Sequence, residues 1–218
     1  MKFIELNHTL VNGLVTYPGD PPVVIDYYHD WDEMVELCGE GAAAILDRIQ
    51  MINTSGTYVD APVHRRHGDK YVCDIPLEKL VDLPFRTVVL PQGKKCFEVE
   101  DVMDAAIPGG AVLLCTGHSE KFGTDAYGKD APYLSEEAAQ YLMEQGVVLV
   151  GIDTPLIDRL ESDQRPVHDI ILKAGNVICE DMTNLKATVG LKDALLTAVP
   201  PKVRLASCTA RVFVKVRD

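Results

Sequence analysis

The run Val147-Val148-Leu149-Val150-Gly151-Ile152 contains no polar side chain, and it follows directly on a segment that carries the signals of a helix at both ends. Six apolar, largely β-branched residues are too short for a buried helix and suit a strand covered on both faces. The preceding segment opens on Ser135 as an N-cap, has acids in its first turn at Glu136 and Glu137, and meets a stop at Gly146. That spacing predicts a helix over 135–145. Similar short runs at Thr87–Leu90, Ala111–Cys115 and Ala210–Val216 read as further strands, and the strand–helix–strand order implies an α/β sheet.

A second helix is expected over Val99–Ala106, before the Pro108-Gly109-Gly110 break, and a short one from Pro76 through Leu80. The first fifty residues, with the turn Tyr17-Pro18-Gly19-Asp20-Pro21-Pro22 and the acidic piece Asp30-Trp31-Asp32-Glu33, suit strands and loops better than a long helix. No repeat, low-complexity tract or linker breaks the chain, so residues 1–218 are expected to form one domain.

Bulk properties narrow the function. The net charge of -12 would repel phosphate backbones and anionic membrane surfaces, which argues against nucleic acid and membranes as partners and for a small molecule. The opening residues lack the apolar core of a signal peptide, and no stretch approaches the roughly 20 apolar residues of a membrane span, so the protein is expected in the cytoplasm. Six cysteines without a C-x-x-C pair read as reduced thiols, mostly core fillers such as Cys115.

Residues able to do chemistry gather in two segments. Asn53-Thr54-Ser55-Gly56-Thr57-Tyr58-Val59-Asp60-Ala61-Pro62-Val63-His64 combines small, hydroxyl and glycine residues, which let the backbone turn closely around a site, with Pro62 stiffening the part that presents Asp60 and His64. Alone, such a pair also reads as a turn cap and a surface histidine. In the second segment, Pro166 opens a short helix carrying His168, and Gly175 ends it before a strand carrying Glu180. Two carboxylates and two imidazoles suit a borderline cation such as zinc, or acid/base work on a carbonyl.

Two flanking residues, His118 and Asp153, follow strand ends where α/β sites form and are expected to line the pocket. Their ordinary readings are a surface-loop histidine and a carboxylate bonding backbone donors in the Thr154-Pro155 turn. His67 with Arg65, Arg66 and Lys70 makes a local positive patch, able to attract a carboxylate-bearing substrate or simply to sit in solvent. His8 and His29, without partners in sequence, read as surface or turn residues. Nothing resembles a nucleotide-binding glycine motif.

Thr54-Ser55-Gly56-Thr57-Tyr58-Val59-Asp60-Ala61-Pro62-Val63-His64 resembles the signature His-x-Gly-Thr-His-x-Asp-x-Pro-x-His of the cyclase-like, metal-dependent hydrolases that include bacterial kynurenine formamidase (arylformamidase). The resemblance extends to Ile4–Leu10, the Tyr17–Pro21 turn, Cys115–His118, Gly151–Asp153, and His168 through Glu180 to Asn184-Leu185. It implies a swivelling β/β/α type of single domain with a mixed central sheet, and hydrolysis of a small amide, formamide, ester or lactone without an organic cofactor. It further implies a divalent metal, zinc or manganese, held by Asp60, His168 and Glu180. His64 takes the acid/base role beside Glu180, and Thr54, Thr57, Tyr58, His118 and Asp153 face the substrate, Tyr58 or Thr57 bonding the developing oxyanion. A homodimer or higher homo-oligomer is implied as well. Thr54 and Tyr58 stand where the family has two histidine ligands, which leaves a second reading open: a catalytically silent small-molecule-binding or structural homologue.

Overall fold

A computed structural model describes residues 1–216. In chain order the strands are β1 (Lys2–Glu5), β2 (Val24–His29), β3 (Leu46–Gln50), β4 (Tyr58–Asp60), β5 (Leu83–Val89), β6 (Cys96–Phe97), β7 (Ala111–Cys115), β8 (Tyr133–Leu134), β9 (Leu149–Ile152), β10 (Val177–Glu180), β11 (Ala194–Val199), β12 (Ser207–Thr209) and β13 (Arg211–Val216). The α-helices are α1 (Trp31–Cys38), α2 (Val99–Val102), α3 (Glu136–Glu144) and α4 (Pro166–Lys173).

Nine strands form one mixed sheet in the order β1-β13-β11-β5-β7-β9-β10-β4-β12. Its centre, β5-β7-β9-β10, is parallel, and the flanking pairs are antiparallel. β12 occupies one edge and β13 lies one strand in from the other, yet only Ala210 separates them in sequence. The sheet therefore curls back on itself, and the bonds from Thr183 N to Leu6 O and from Asn7 Nδ2 to Ala210 O tie the end of β1 to the side of β10 and β12.

Alternation along the strands divides the apolar residues between two cores. In β7, Ala111, Leu113 and Cys115 join Leu6, Val59, Cys179 and Val212 inside the curl. Val112 and Leu114 point the other way, into a layer with Ala138, Leu142, Val167 and Ile171 of α3 and α4. Gly151 faces the inner core so tightly that a Cβ there would lie 2.5 Å from Met182 Sδ and 2.7 Å from Leu113 Cδ2. The same parity governs β4 and β10. Val59 and Cys179 enter the inner core, so Tyr58, Asp60, Ile178 and Glu180 share the face toward α4.

Most expected elements form, with corrections at their ends. The strand expected at Thr87–Leu90 begins at Leu83. Ser135 caps α3 by accepting a hydrogen bond from Ala138 N. The helix expected over Val99–Ala106 is α for one turn and then tightens to a 3₁₀ turn at Met103–Ala105, and the Pro76–Leu80 helix is the 3₁₀ turn Leu77–Lys79. The acidic piece at Asp30–Glu33 starts the eight-residue α1, because Asp30 and Glu33 close a reciprocal capping box.

Each cysteine is unpaired. Among the described residues no helix is long and apolar enough to cross a membrane. His8 departs from its surface reading: its ring stacks on Phe122 with centroids 3.6 Å apart, and burial lowers its pKa to about 4.

Candidate metal centre

Cross-strand register sets the first row of the site. Asp60 pairs with Ile178 of β10 on one side and with Ser207 of β12 on the other, and Tyr58 pairs with Glu180 and Thr209. Asp60, Tyr58, Glu180 and Ser207 thus converge on one face although they come from three distant parts of the chain. Pro62 opens a 3₁₀ turn that carries His64 back over Asp60, with Nδ1 3.8 Å from Asp60 Oδ1. His168 enters from the first turn of α4, which is packed on the same face.

Asp158 holds that helix end in place. Its carboxylate accepts hydrogen bonds from Val167 N at 2.8 Å and His168 N at 3.2 Å, closing the otherwise unpartnered amides of α4. Its Oδ2 also accepts from His168 Nδ1 at 2.5 Å. One side chain therefore caps the helix and fixes the imidazole with Nε2 turned to the acids. Nε2 lies 3.6 Å from Asp60 Oδ2 and 3.5 Å from Glu180 Oε1.

Ser207 sets the other imidazole. Its hydroxyl donates to Asp60 Oδ1, so its lone pair is what receives the His64 Nδ1 proton at 3.0 Å. His64 Nε2 makes no hydrogen bond among the described residues, and the side chain is partly open to solvent. The two histidines, with ring centroids 5.9 Å apart, are thus opposites: one is buried and oriented by an acid, the other partly exposed and oriented by a hydroxyl.

Asp60 Oδ2 is buried and has no hydrogen-bond partner among the described residues. A bare carboxylate oxygen away from water is costly unless a proton or cation meets it. Ligand atoms of Asp60, His64 and His168 all lie within 4.8 Å of one another. The separations from His168 Nε2 to Asp60 and Glu180 also suit donors sharing one small cation, which in a tetrahedral zinc site stand roughly 3.4 Å apart. The residues present therefore fit a divalent metal.

Electrostatics agree. Burial pushes Asp60 up, but the neighbouring His168 and His64 rings and the Ser207 hydroxyl hold its carboxyl below the usual range. Burial drives Glu180 up to about 7, helped by the Asp60 charge. Burial opposes charge on His168, yet the carboxylates of Glu180, Asp158 and Asp60 together raise it to about 10. In the metal-free protein a proton on Nε2 stands where a cation is called for.

The remaining expected contacts are placed differently. Tyr58 Oη donates to Glu180 Oε2, while Ile157 N donates to Oε1 at 2.6 Å. Thr57 Oγ1 donates to Asp181 O and accepts from His8 N. With their single hydroxyl protons engaged, neither Tyr58 nor Thr57 has one left for an oxyanion. His118 is buried, its Nε2 on Tyr127 O at 2.7 Å, so it is not a surface-loop residue. Asp153 bonds Thr116 N and Oγ1 and Gly117 N across the strand ends, not the turn beside it. It lines a cavity of about 880 Å³ that Asp60, His64, His168 and Glu180 do not line. Thr54 is half-buried, and its hydroxyl makes no hydrogen bond among the described residues. Cys115 is buried, and burial raises its thiol to about 11, as befits a core residue.

Asp158 and Ser207 escape the sequence reading. An acid upstream of a helix-opening proline is a capping signal, but seven residues separate Asp158 from Pro166. Ser207 lies 147 residues from Asp60 and carries no local signal.

Comparison with known proteins places the whole chain. The family model described as "Putative cyclase" matches residues 4–159. The chain is 29% identical over 199 residues to the kynurenine formamidase of Geobacillus thermodenitrificans, covering 91% of this chain and 89% of that protein. A solved structure of a potential metal-dependent hydrolase with cyclase activity superposes with a TM-score of 0.76 at 25% identity, covering 100% of this chain and 98% of the other. An isatin hydrolase bound to the product analogue thioisatinate shares the fold, with a TM-score of 0.82 at 18% identity over 100% of this chain and 93% of that one.

Proposed function

Since this chain belongs to the putative cyclase family, we propose that it is a metal-dependent hydrolase that cleaves a small amide, formamide, ester or lactone, in the manner of an arylformamidase. The observation that carries the reading is the buried, unpartnered Oδ2 of Asp60 facing His168 Nε2. Asp60, His168 and Glu180 hold one divalent ion, and the mixed oxygen and nitrogen donors suit zinc or manganese. When bound, such an ion supplies Lewis-acid polarisation of the scissile carbonyl and of a water.

His64 is the acid/base and not a ligand. Its Nδ1 lies 3.8 Å from Asp60 Oδ1 but is protonated toward Ser207, while Nε2 is bare and reachable. Nε2 takes a proton from water as the water oxygen bonds to the carbonyl carbon. It returns that proton to the leaving nitrogen or oxygen as the old bond breaks. Asp158 positions His168, and Ser207 positions His64. Thr54, whose hydroxyl is free, contacts the substrate. Tyr58 and Ile157 hold Glu180 in place.

The departures from the family signature fit a single ion. Tyr58, in the place of one expected histidine, directs its hydroxyl to Glu180, and Thr54 offers no imidazole in the place of the other. The same proposal includes a homo-oligomeric assembly, dimer or larger.

The test is turnover of N-formylarylamines, aryl esters and lactones by chelator-stripped protein before and after reloading with zinc or manganese. Hydrolysis that appears only on reloading is the expected result. Fully loaded protein that turns over none of them would favour a silent, ligand-binding homologue.

A further inference from the structure

Three adjacent strands of the parallel centre, β5, β7 and β9, end side by side at Val89, Cys115 and Ile152. Open α/β sheets take their ligands in the crevice outside the carboxyl ends of such strands. A cavity of about 880 Å³ lies there, within the volume range of small-molecule sites, and none of the residues given a part in hydrolysis lines it.

Its walls are held from both sides. One wall is the turn at 116–120. Asp153, just past β9, accepts from Thr116 N and Thr116 Oγ1 with one carboxylate oxygen and from Gly117 N with the other, at 2.7 to 2.9 Å, which fixes that turn. Gly117 has φ 78°, and a Cβ added there would meet no atom within 4 Å, so its bare backbone borders open space. The other wall is the turn at 183–189. Asn184 enters it at φ 57°, a left-handed conformation that costs a non-glycine residue some strain. Its Nδ2 donates to Glu5 O at 3.0 Å and holds the bend.

The lining specifies the chemistry of an occupant. Its apolar part is aliphatic: Leu185 and Cys115 are buried beneath it, Val89 and Val189 stand 51% and 43% exposed, and no aromatic ring among the described residues lines it. Its charged part offers opposite signs. Lys186 and Glu120 both line the cavity and both are exposed, and neither side chain makes an ion pair or hydrogen bond among the described residues. Asp153 adds a third charge, but its oxygens are engaged by the turn. One free cation, one free anion and an aliphatic wall together suit a small molecule that carries a carboxylate, an ammonium and a hydrocarbon chain.

We propose that this crevice binds a free α-amino acid with an aliphatic side chain, its carboxylate on Lys186, its ammonium on Glu120 and its side chain between Val89 and Val189. Burial of the hydrocarbon takes two exposed valines out of water, and the two charge-assisted hydrogen bonds set the orientation. The crevice is separate from the metal centre. Failure of this assignment would leave the hydrolase reading intact, and failure of that reading would leave this one.

Equilibrium dialysis of the full chain with radiolabelled L-leucine tests it, with binding and not turnover as the readout. One saturable site per chain is expected in zinc-loaded and chelated protein alike. Leucinamide, which lacks the carboxylate, and N-acetyl-leucine, which lacks the ammonium, should each compete about 10-fold more weakly, the worth of one lost hydrogen bond between charged groups. Lys186→Ala and Glu120→Gln, both at exposed positions, should each weaken leucine by a similar factor. Lys186→Ala should no longer tell leucine from leucinamide, and Glu120→Gln should no longer tell it from N-acetyl-leucine, a pairing that general loss of structure would not produce. No saturable binding up to the solubility of leucine, binding confined to the zinc-loaded form, analogues that compete as well as leucine, or variants that bind it like wild type would overturn the assignment.

Discussion

His64 and His168 lie within one ring's reach of each other and differ in what holds their Nδ1, a hydroxyl in one case and a buried carboxylate in the other. That difference separates their roles. His64→Ala should leave metal content near wild type while turnover falls by roughly 10²–10⁴-fold, the usual worth of a positioned acid/base; loss of the ion with the activity would make His64 a ligand instead. Asp158→Asn should weaken the ion about 10–100-fold, as removal of an orienting partner of a metal-bound imidazole does, read by competition with a chelator; unchanged affinity would remove its positioning role. His168 gives a pH signature in the metal-free protein. Its folded-state pKa is raised to about 10 from 6.5, so between those values the native state keeps a proton that the unfolded chain has lost. Stability from this group is complete below pH 6.5 and declines as pH rises toward 10. Melting curves of chelated protein should show that decline, and it should be absent in His168→Ala. At this scale the sequence shows which acids and imidazoles are present, because Asp60, His64, His168 and Glu180 sit in recognisable local patterns. It does not show that the Tyr58 and Thr57 hydroxyls are engaged by Glu180 and Asp181, since those partners lie more than a hundred residues away.

Elements were legible where burial imposes a pattern. The apolar runs that became β7 and β9 lie in the parallel centre of the sheet, and α3 was bracketed by its cap and glycine. Ser135→Ala should cost about 1 kcal/mol, the usual worth of such a cap, in denaturant titration. Gly151→Ala should cost more, about 1–3 kcal/mol, because its Cβ would meet Met182 and Leu113 in a filled core; a neutral result would show that the core relaxes there. The segment from β2 through β3 was illegible for the converse reason. With no buried face, β2, β3 and α1 impose no periodicity on their residues, and only the Asp30–Glu33 box betrays the helix. β12 is three residues long and too short to declare itself, although it delivers Ser207 to the site.

The whole molecule gathers the site by curling one sheet. β4, β10 and β12 are remote in sequence, but their antiparallel pairing, with α4 laid over one face, puts Asp60, Glu180, Ser207 and His168 around a single buried carboxylate oxygen. The class of fold was legible from strand–helix order and from resemblance, whereas the closure that brings β12 beside β4 is a property of the finished sheet. The central claim is that this closure builds a one-ion site. Elemental analysis of wild type and Asp60→Ala, each equilibrated with zinc or manganese and desalted, tests it directly: the account predicts one ion per chain in wild type and none in the variant, and an empty wild type, two ions per chain, or full retention in Asp60→Ala would contradict it.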